Sequence, residues 1–178
     1  IASNFKSADI RIVELSALLH DIARPSEFKS GGKVCHAEKG AEKAAALLRK
    51  CGVRDKKLVG EVADCVRRHR YRGRFKPETL EQKIIYDADK LDSIGAVGVG
   101  RAFHFAGRVG AKVHNTEEAA LNSTAYSRED TAFREYLVKL RKVHLMMTTN
   151  PGRKLARHRY LFMKRFFDEL NSEVFGGK

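Results

Sequence analysis

The chain has 178 residues, 43% of them hydrophobic, and a formal net charge of +13. That length suits one domain with a real core, and no run of about 18 apolar residues, the length a membrane-spanning helix needs, is present. Three cysteines without a CxxC pair argue against a disulfide framework or a four-cysteine zinc site and for reduced, core-packed thiols in a cytoplasmic protein, while the positive balance favours anionic partners: nucleotides, phosphorylated metabolites, nucleic acid or anionic lipid.

Taken in chain order, nearly every segment reads as helix. Residues 1–5, "IASNF", read like the end of one. Residues 9–22 are apolar on one side, and Pro25 disfavours helix at Arg24. Residues 36–51 put Ala37, Ala41, Ala44 and Leu48 on one stripe, with Gly52 as a stop. Residues 55–69 align Val59, Val62, Val66 and His69. Thr79 and Gln82 form a capping box that opens a helix running to about Leu91. The mixed polar stretch 112–128 reads as a loop. Residues 130–147 space Phe133, Leu137, Leu140, His144 and Met147 at helical intervals, Asn150-Pro151-Gly152 reads as a turn, and Arg153 to Leu170 as a last helix with Leu155, Phe162 and Phe166 inward. Gly95, Gly98 and Gly100 fit close helix packing better than a phosphate cradle, because "GAVGVG" lacks the G-x-G-x-x-G spacing. No alternating strand pattern and no hairpin signal occurs. The expected fold is all-α: a compact helical bundle formed by residues 1–178 as a single domain.

Two clusters do not belong in such a pattern. In "LSALLHDIARP", His20 and Asp21 interrupt an apolar helix with an imidazole and a carboxylate, good ligands for Mn²⁺, Fe²⁺, Co²⁺, Ni²⁺ or Zn²⁺. In "DADKLDS", three carboxylates fall within six residues around an Ile84–Ala88–Leu91 stripe. Asp89 and Asp92 share one flank and Asp87 takes the other. His36 opens a helix and His69 extends a valine face. Each reads either as a structural histidine or as a member of the site. The basic run "RRHRYRGRFK" follows His69, so an arginine from it, with Arg72 the first choice, could meet a phosphate. Arg24, one turn after His20, is the second candidate.

"LLHDIA" followed by "DADKLDSIGA" resembles the HD-domain superfamily of metal-dependent phosphohydrolases, in particular its small stand-alone members. "CHAEKGA", "RRHRYRG" and "PGRKLARHRYLFMKRF" extend the likeness over most of the chain. The resemblance implies that His20, Asp21 and Asp89 are metal ligands. It further implies that a divalent ion (Mn, Mg, Fe, Co, Ni or Zn) serves as cofactor and that His36 and His69 fall where some members bind a second metal or the substrate. On chemical grounds His36, His69 or Asp92 is suited to orient water or protonate the leaving oxygen. The family's first ligand histidine would precede Ile1, since no histidine stands before His20. The function implied is hydrolysis of a phosphate ester or anhydride, with a nucleotide as substrate. The alternative is a basic helical nucleic-acid-binding module with a vestigial metal site, though "DADKLD" would be out of place on a phosphate-binding face.

Overall fold

Helices account for all the regular structure in this computed structural model, which describes residues 1–70 and 74–176. No strand occurs among the described residues. Arg72, the arginine first expected to meet phosphate, lies outside them. Contacts divide the chain into two compact units, Ile1–Asp89 and Lys90–Lys178.

In the first unit the Asp9 carboxylate caps helix α1 (Ile10–Leu19), accepting from the Arg11 amide at 2.9 Å. The helix ends before the expected residue 22, and His20 becomes its C-cap. Nor does Pro25 bar helix at Arg24. A short helix, α2 (Arg24–Lys29), starts there with the proline in its first turn, where a missing N–H loses no helical partner. Helices α3 (His36–Lys50) and α4 (Lys56–Arg68) are joined by a short link through Gly52, whose φ of +85° suits glycine, and Asp55 caps α4. Their buried stripes are those the spacing predicts: Ala37, Ala41, Ala44 and Leu48 on α3, and Val59, Val62 and Val66 on α4. Small residues bring the two helices close; a Cβ at Gly40 would lie 3.1 Å from Val66 Cγ1. Ile12, Leu48, Val59, Val62, Cys65 and Ile85 form one buried cluster, each large aliphatic side chain contributing roughly 1.5–3 kcal/mol.

Helix α5 (Leu80–Leu91) is opened by the expected capping box: the Thr79 amide donates to Gln82 Oε1 at 3.1 Å, and the Gln82 amide to Thr79 Oγ1 at 3.4 Å. Its register differs from the expected one. Ile84 and Leu91 are buried, but Ala88 is exposed and Asp87, placed on a flank by the sequence, is fully buried. The thiols also differ from expectation. Only Cys65 is packed in the core, where burial pushes its pKa up to about 11, whereas Cys51 is exposed and Cys35 half-buried.

The second unit begins its helix α6 (Gly95–Arg108) at a glycine with φ +80°. The Arg159 side chain fills the space a Cβ would need, its Cγ only 2.9 Å away, and its guanidinium donates to the Leu91 carbonyl. A Cβ at Gly98 would strike the Ser93 carbonyl, while Gly100 faces open space, so two of the three glycines serve close packing. The expected loop at 112–128 contains helix α7 (Glu117–Leu121), capped by Thr116. The expected helix 130–147 is broken. Helix α8 (Ala132–Val138) ends at Lys139, where φ −136° and ψ −58° interrupt the helix, and Leu140–Met146 continue as a 3₁₀ segment. The tighter winding keeps Leu140, Val143 and Met147 buried and leaves His144 partly exposed.

Asn150-Pro151-Gly152 is the first turn of helix α9 (Asn150–Phe175) rather than a separate turn, with Thr149 Oγ1 accepting from the Gly152 amide at 3.0 Å. Its inward residues are Gly152, Ala156, Met163 and Phe167. Leu155 and Phe162, expected inside, are exposed, and Phe166 is half-buried. Phe167 anchors this register, stacked on Tyr136 at 4.5 Å and tilted against Phe133 at 5.6 Å. Among the described residues no helix is long and apolar enough to cross a membrane.

Candidate metal centre

Ending α1 at Leu19 is what lets His20 and Asp21 face one place. Successive residues of a continuous helix point about 100° apart, but the turn from His20 to Ala23 redirects the chain. His20 Nδ1 donates to the Ala17 carbonyl at 2.8 Å. Its Nε2 then lies 3.7 Å from Asp21 Oδ2 and 3.9 Å from Asp89 Oδ1, so the His-Asp pair and the distant aspartate of α5 lie together.

A second set of donors gathers at the other Asp21 oxygen. His36 opens α3 and His69 caps α4. In a helical hairpin the first residue of one helix neighbours the last of the next, so residues 33 positions apart meet. Both are buried. His36 Nε2 lies 3.5 Å and His69 Nε2 3.7 Å from Asp21 Oδ1, and the two Nε2 atoms are 3.2 Å apart. The His20 and His69 rings meet edge to face, with centroids 5.2 Å apart.

Hydrogen bonds fix the tautomers. A carbonyl or carboxylate oxygen only accepts, so each Nδ1 that touches one must carry the proton. His69 Nδ1 touches the Val66 carbonyl at 2.6 Å, and His36 Nδ1 touches Glu27 Oε2 at 2.8 Å. In the neutral rings all three Nε2 atoms are therefore bare lone pairs aimed at a carboxylate. No hydrogen bond can link such atoms. A metal ion or an added proton between them would satisfy these lone pairs. Ligand atoms of Asp21, His36 and His69 lie within 4.8 Å of one another, close enough to hold one ion.

The charges keep Asp21 ionised and His36 neutral, the forms in which each can ligate a metal. Burial works against the Asp21 carboxylate, but a hydrogen bond from His69, made when that ring carries the added proton, and the charge and hydrogen bond of the Arg24 guanidinium outweigh it and hold its pKa well below the usual carboxylate range. Burial and the nearby Arg24 charge lower the pKa of His36 and favour its neutral, ligating form.

Glu27 is the residue the sequence did not flag. Besides His36 it holds two arginines: Arg24 Nη1 donates to Oε2 at 3.0 Å, and Arg70 Nη2 lies 3.1 Å from Oε1. Burial raises its pKa, but His36 and Arg70 more than offset this. Arg24, a substrate-binding candidate, also donates through Nε to Asp21 Oδ1 at 3.0 Å, and Arg70 donates to Cys35 Sγ at 3.3 Å. Asp92 is exposed and pairs with Arg101 of α6. The other histidines stand elsewhere: His114 bonds Asn171 Oδ1 at 2.8 Å, and His144 stacks on Tyr160.

The two neighbouring aspartates of α5 should separate by readout. Asp89→Asn should weaken divalent-metal affinity in a calorimetric titration with little change in Tm. Asp87→Ala should lower Tm, because it deletes a fully buried polar side chain, at a cost of about 1–3 kcal/mol. Equal metal affinities for wild type and Asp89→Asn would remove Asp89 from the site.

Residues 1–94 match the HD domain family model. The chain is 34% identical over 175 residues to the uncharacterized protein YpgQ of Bacillus subtilis (strain 168), an overlap of 96% of this chain and 76% of that protein. It is similar in structure to the crystal structure of B. subtilis YpgQ in complex with ADP, with a TM-score of 0.72 and 27% identity over 98% of this chain and 82% of that one. A predicted HD-superfamily hydrolase from an uncultured Thermotogales bacterium gives a TM-score of 0.63 and 32% identity over 97% and 72% of the two chains. An HD-superfamily hydrolase from Bacillus thuringiensis, 23% identical, shares the fold with a TM-score of 0.72 over 99% and 79%. The paired His20-Asp21, the later Asp89 and the match along nearly the whole chain lead to one conclusion: this chain belongs to the HD-domain family.

Proposed function

We propose that the protein is a metal-dependent phosphohydrolase that cleaves a phosphate ester or anhydride of a nucleotide. The observation that carries the proposal is the set of three imidazole Nε2 atoms, each with its Nδ1 proton tied elsewhere, facing the two oxygens of Asp21. His20, Asp21 and Asp89 would hold a divalent ion, and Asp21 also offers its second oxygen to the His36–His69 pair. A divalent ion held there supplies charge neutralisation at a phosphoryl group and acidifies water. The imidazoles His36 and His69 are the groups suited to accept a proton from water or return one to the leaving oxygen. A proton taken by His36 would be stabilised by Glu27 on its far side and by Asp21 on its near side. Arg24 and Arg70, partly exposed beside these groups, offer guanidinium N–H donors to phosphate oxygens.

The net charge of +13 and the ADP complex of the YpgQ relative support a nucleotide substrate. The match of relatives along nearly the whole chain supports reading both units as one HD-type domain. The test is phosphate and pyrophosphate release from a panel of nucleotides with Mg²⁺, Mn²⁺, Co²⁺ or Ni²⁺, against the same protein in chelator. Metal-dependent release from at least one nucleotide is expected. Salt-sensitive binding of RNA or DNA with no release from any substrate would favour the nucleic-acid-binding module instead.

A further inference from the structure

The second unit carries a cavity that uses none of the residues of the metal centre. It measures about 480 Å³ and is lined by His144 and Leu145 of the 3₁₀ segment and by Arg153, Arg157, Tyr160 and Leu161 of α9. Its size falls in the range of small-molecule sites. The His144 and Tyr160 rings stack at 4.0 Å and give it a flat aromatic wall, and Leu145 and Leu161 are largely exposed. Two guanidinium groups supply the charge. Arg153 is held in place by the Met147 carbonyl at 3.0 Å and Asn150 Oδ1 at 2.6 Å. Arg157 is exposed and makes no hydrogen bond or ion pair among the described residues. His144 Nδ1 is shielded from solvent and likewise has no partner among them. The surrounding sequence strengthens the field, since residues 139–165 contain nine lysines and arginines and no aspartate or glutamate.

A free arginine, a fixed arginine, an aromatic wall and an apolar rim in one concavity match a ligand with a phosphate at one end and a flat ring at the other. The concavity is open to solvent but only about one nucleotide in size, whereas an extended nucleic acid would need a longer groove. We infer that this cavity is a second binding site, for a nucleoside mono- or diphosphate, built from α9 and the 3₁₀ segment. The inference goes beyond the proposed hydrolysis and does not depend on it, and it is tested without metal. Full-length protein is titrated with ADP in excess EDTA by calorimetry, alongside Arg157→Glu and Asp21→Ala variants whose helicity is checked by circular dichroism. Wild type and Asp21→Ala should bind ADP alike, and Arg157→Glu should bind about tenfold more weakly or worse, because a charge-assisted bond becomes a repulsion. The inference is overturned if ADP does not bind in EDTA, if Arg157→Glu binds as wild type does, or if Asp21→Ala loses the binding. Inorganic phosphate that binds as tightly as ADP would overturn the role given to the aromatic wall. A single-stranded RNA that binds through Arg157 where ADP does not would assign the surface to nucleic acid instead.

Discussion

Replacing Asp21 by alanine should abolish both divalent-metal binding and phosphohydrolase turnover while the helices stay intact. The residue stands in a turn outside α1 and α2, with its side chain 40% exposed, so little packing is lost. Much coordination is lost, because one oxygen faces His20 and the other faces His36 and His69. Removing an outer hydrogen-bonding partner of a ligand typically costs about 10–100-fold in metal affinity, and removing a carboxylate shared by three imidazoles should cost more. The measurements are metal titration by calorimetry, turnover across the metal panel, and a thermal melt. Unchanged turnover would sink the metal-site reading. Lost turnover together with a collapsed melt would instead assign Asp21 to the fold, and Asp21→Asn, which keeps the shape and part of the hydrogen bonding, would then repeat the test.

Features that depend on local spacing were legible in the sequence. The alanine stripe of α3, the valine stripe of α4, the Thr79–Gln82 cap and the Gly52 stop each need only a few neighbouring residues, and each appears as expected. Where two faces of one helix are both apolar, spacing could not choose between them. In α9 the stripe Leu155–Phe162–Phe166 is the more hydrophobic one, yet Gly152 and Ala156 go inside because small residues allow the close approach that Phe167 completes. The same ambiguity misplaced Ala88 and Asp87 in α5, where a buried carboxylate takes the inward position. The site was legible in its types and only partly in its roles. His20 and Asp21 stood out because ionisable groups interrupt an apolar helix there, whereas Asp89 was set apart from Asp87 and Asp92 only by the resemblance to the HD-domain superfamily. His36 and His69 were left open, since only the α3–α4 hairpin brings them within 3.2 Å. Glu27 gave no signal at all: within "RPSEFK" it looks like any surface carboxylate of a short helix, and its importance comes from the His36 and Arg70 that fold against it.

Glu27 is accordingly where the geometry makes its least expected claim. Its carboxylate fixes the His36 proton on Nδ1, leaves Nε2 as a lone pair, and at the same time holds Arg24 and Arg70. Glu27→Gln keeps the size of the side chain but removes the charge. If the amide oxygen still accepts from His36, the tautomer survives and the arginines lose a counter-charge. If the amide nitrogen turns toward His36, Nδ1 becomes the acceptor and Nε2 carries the proton, which blocks its lone pair. Either way turnover should fall by roughly 10–100-fold, the range for an outer partner of a residue in a metal site. Because Glu27 neither faces the two Asp21 oxygens nor belongs to the buried cluster of the first unit, the melting curve should move little. The distinguishing measurement is proton–nitrogen NMR of the histidine rings in metal-free protein. Wild type should show His36 protonated on Nδ1, and in Glu27→Gln either the His36 ring keeps that proton with shifted resonances or it moves to Nε2, any change being confined to His36 while His20 and His69 keep their Nδ1 protons on the Ala17 and Val66 carbonyls. A variant with a shifted melt and unchanged ring resonances would mean that Glu27 supports the fold rather than the orientation of His36.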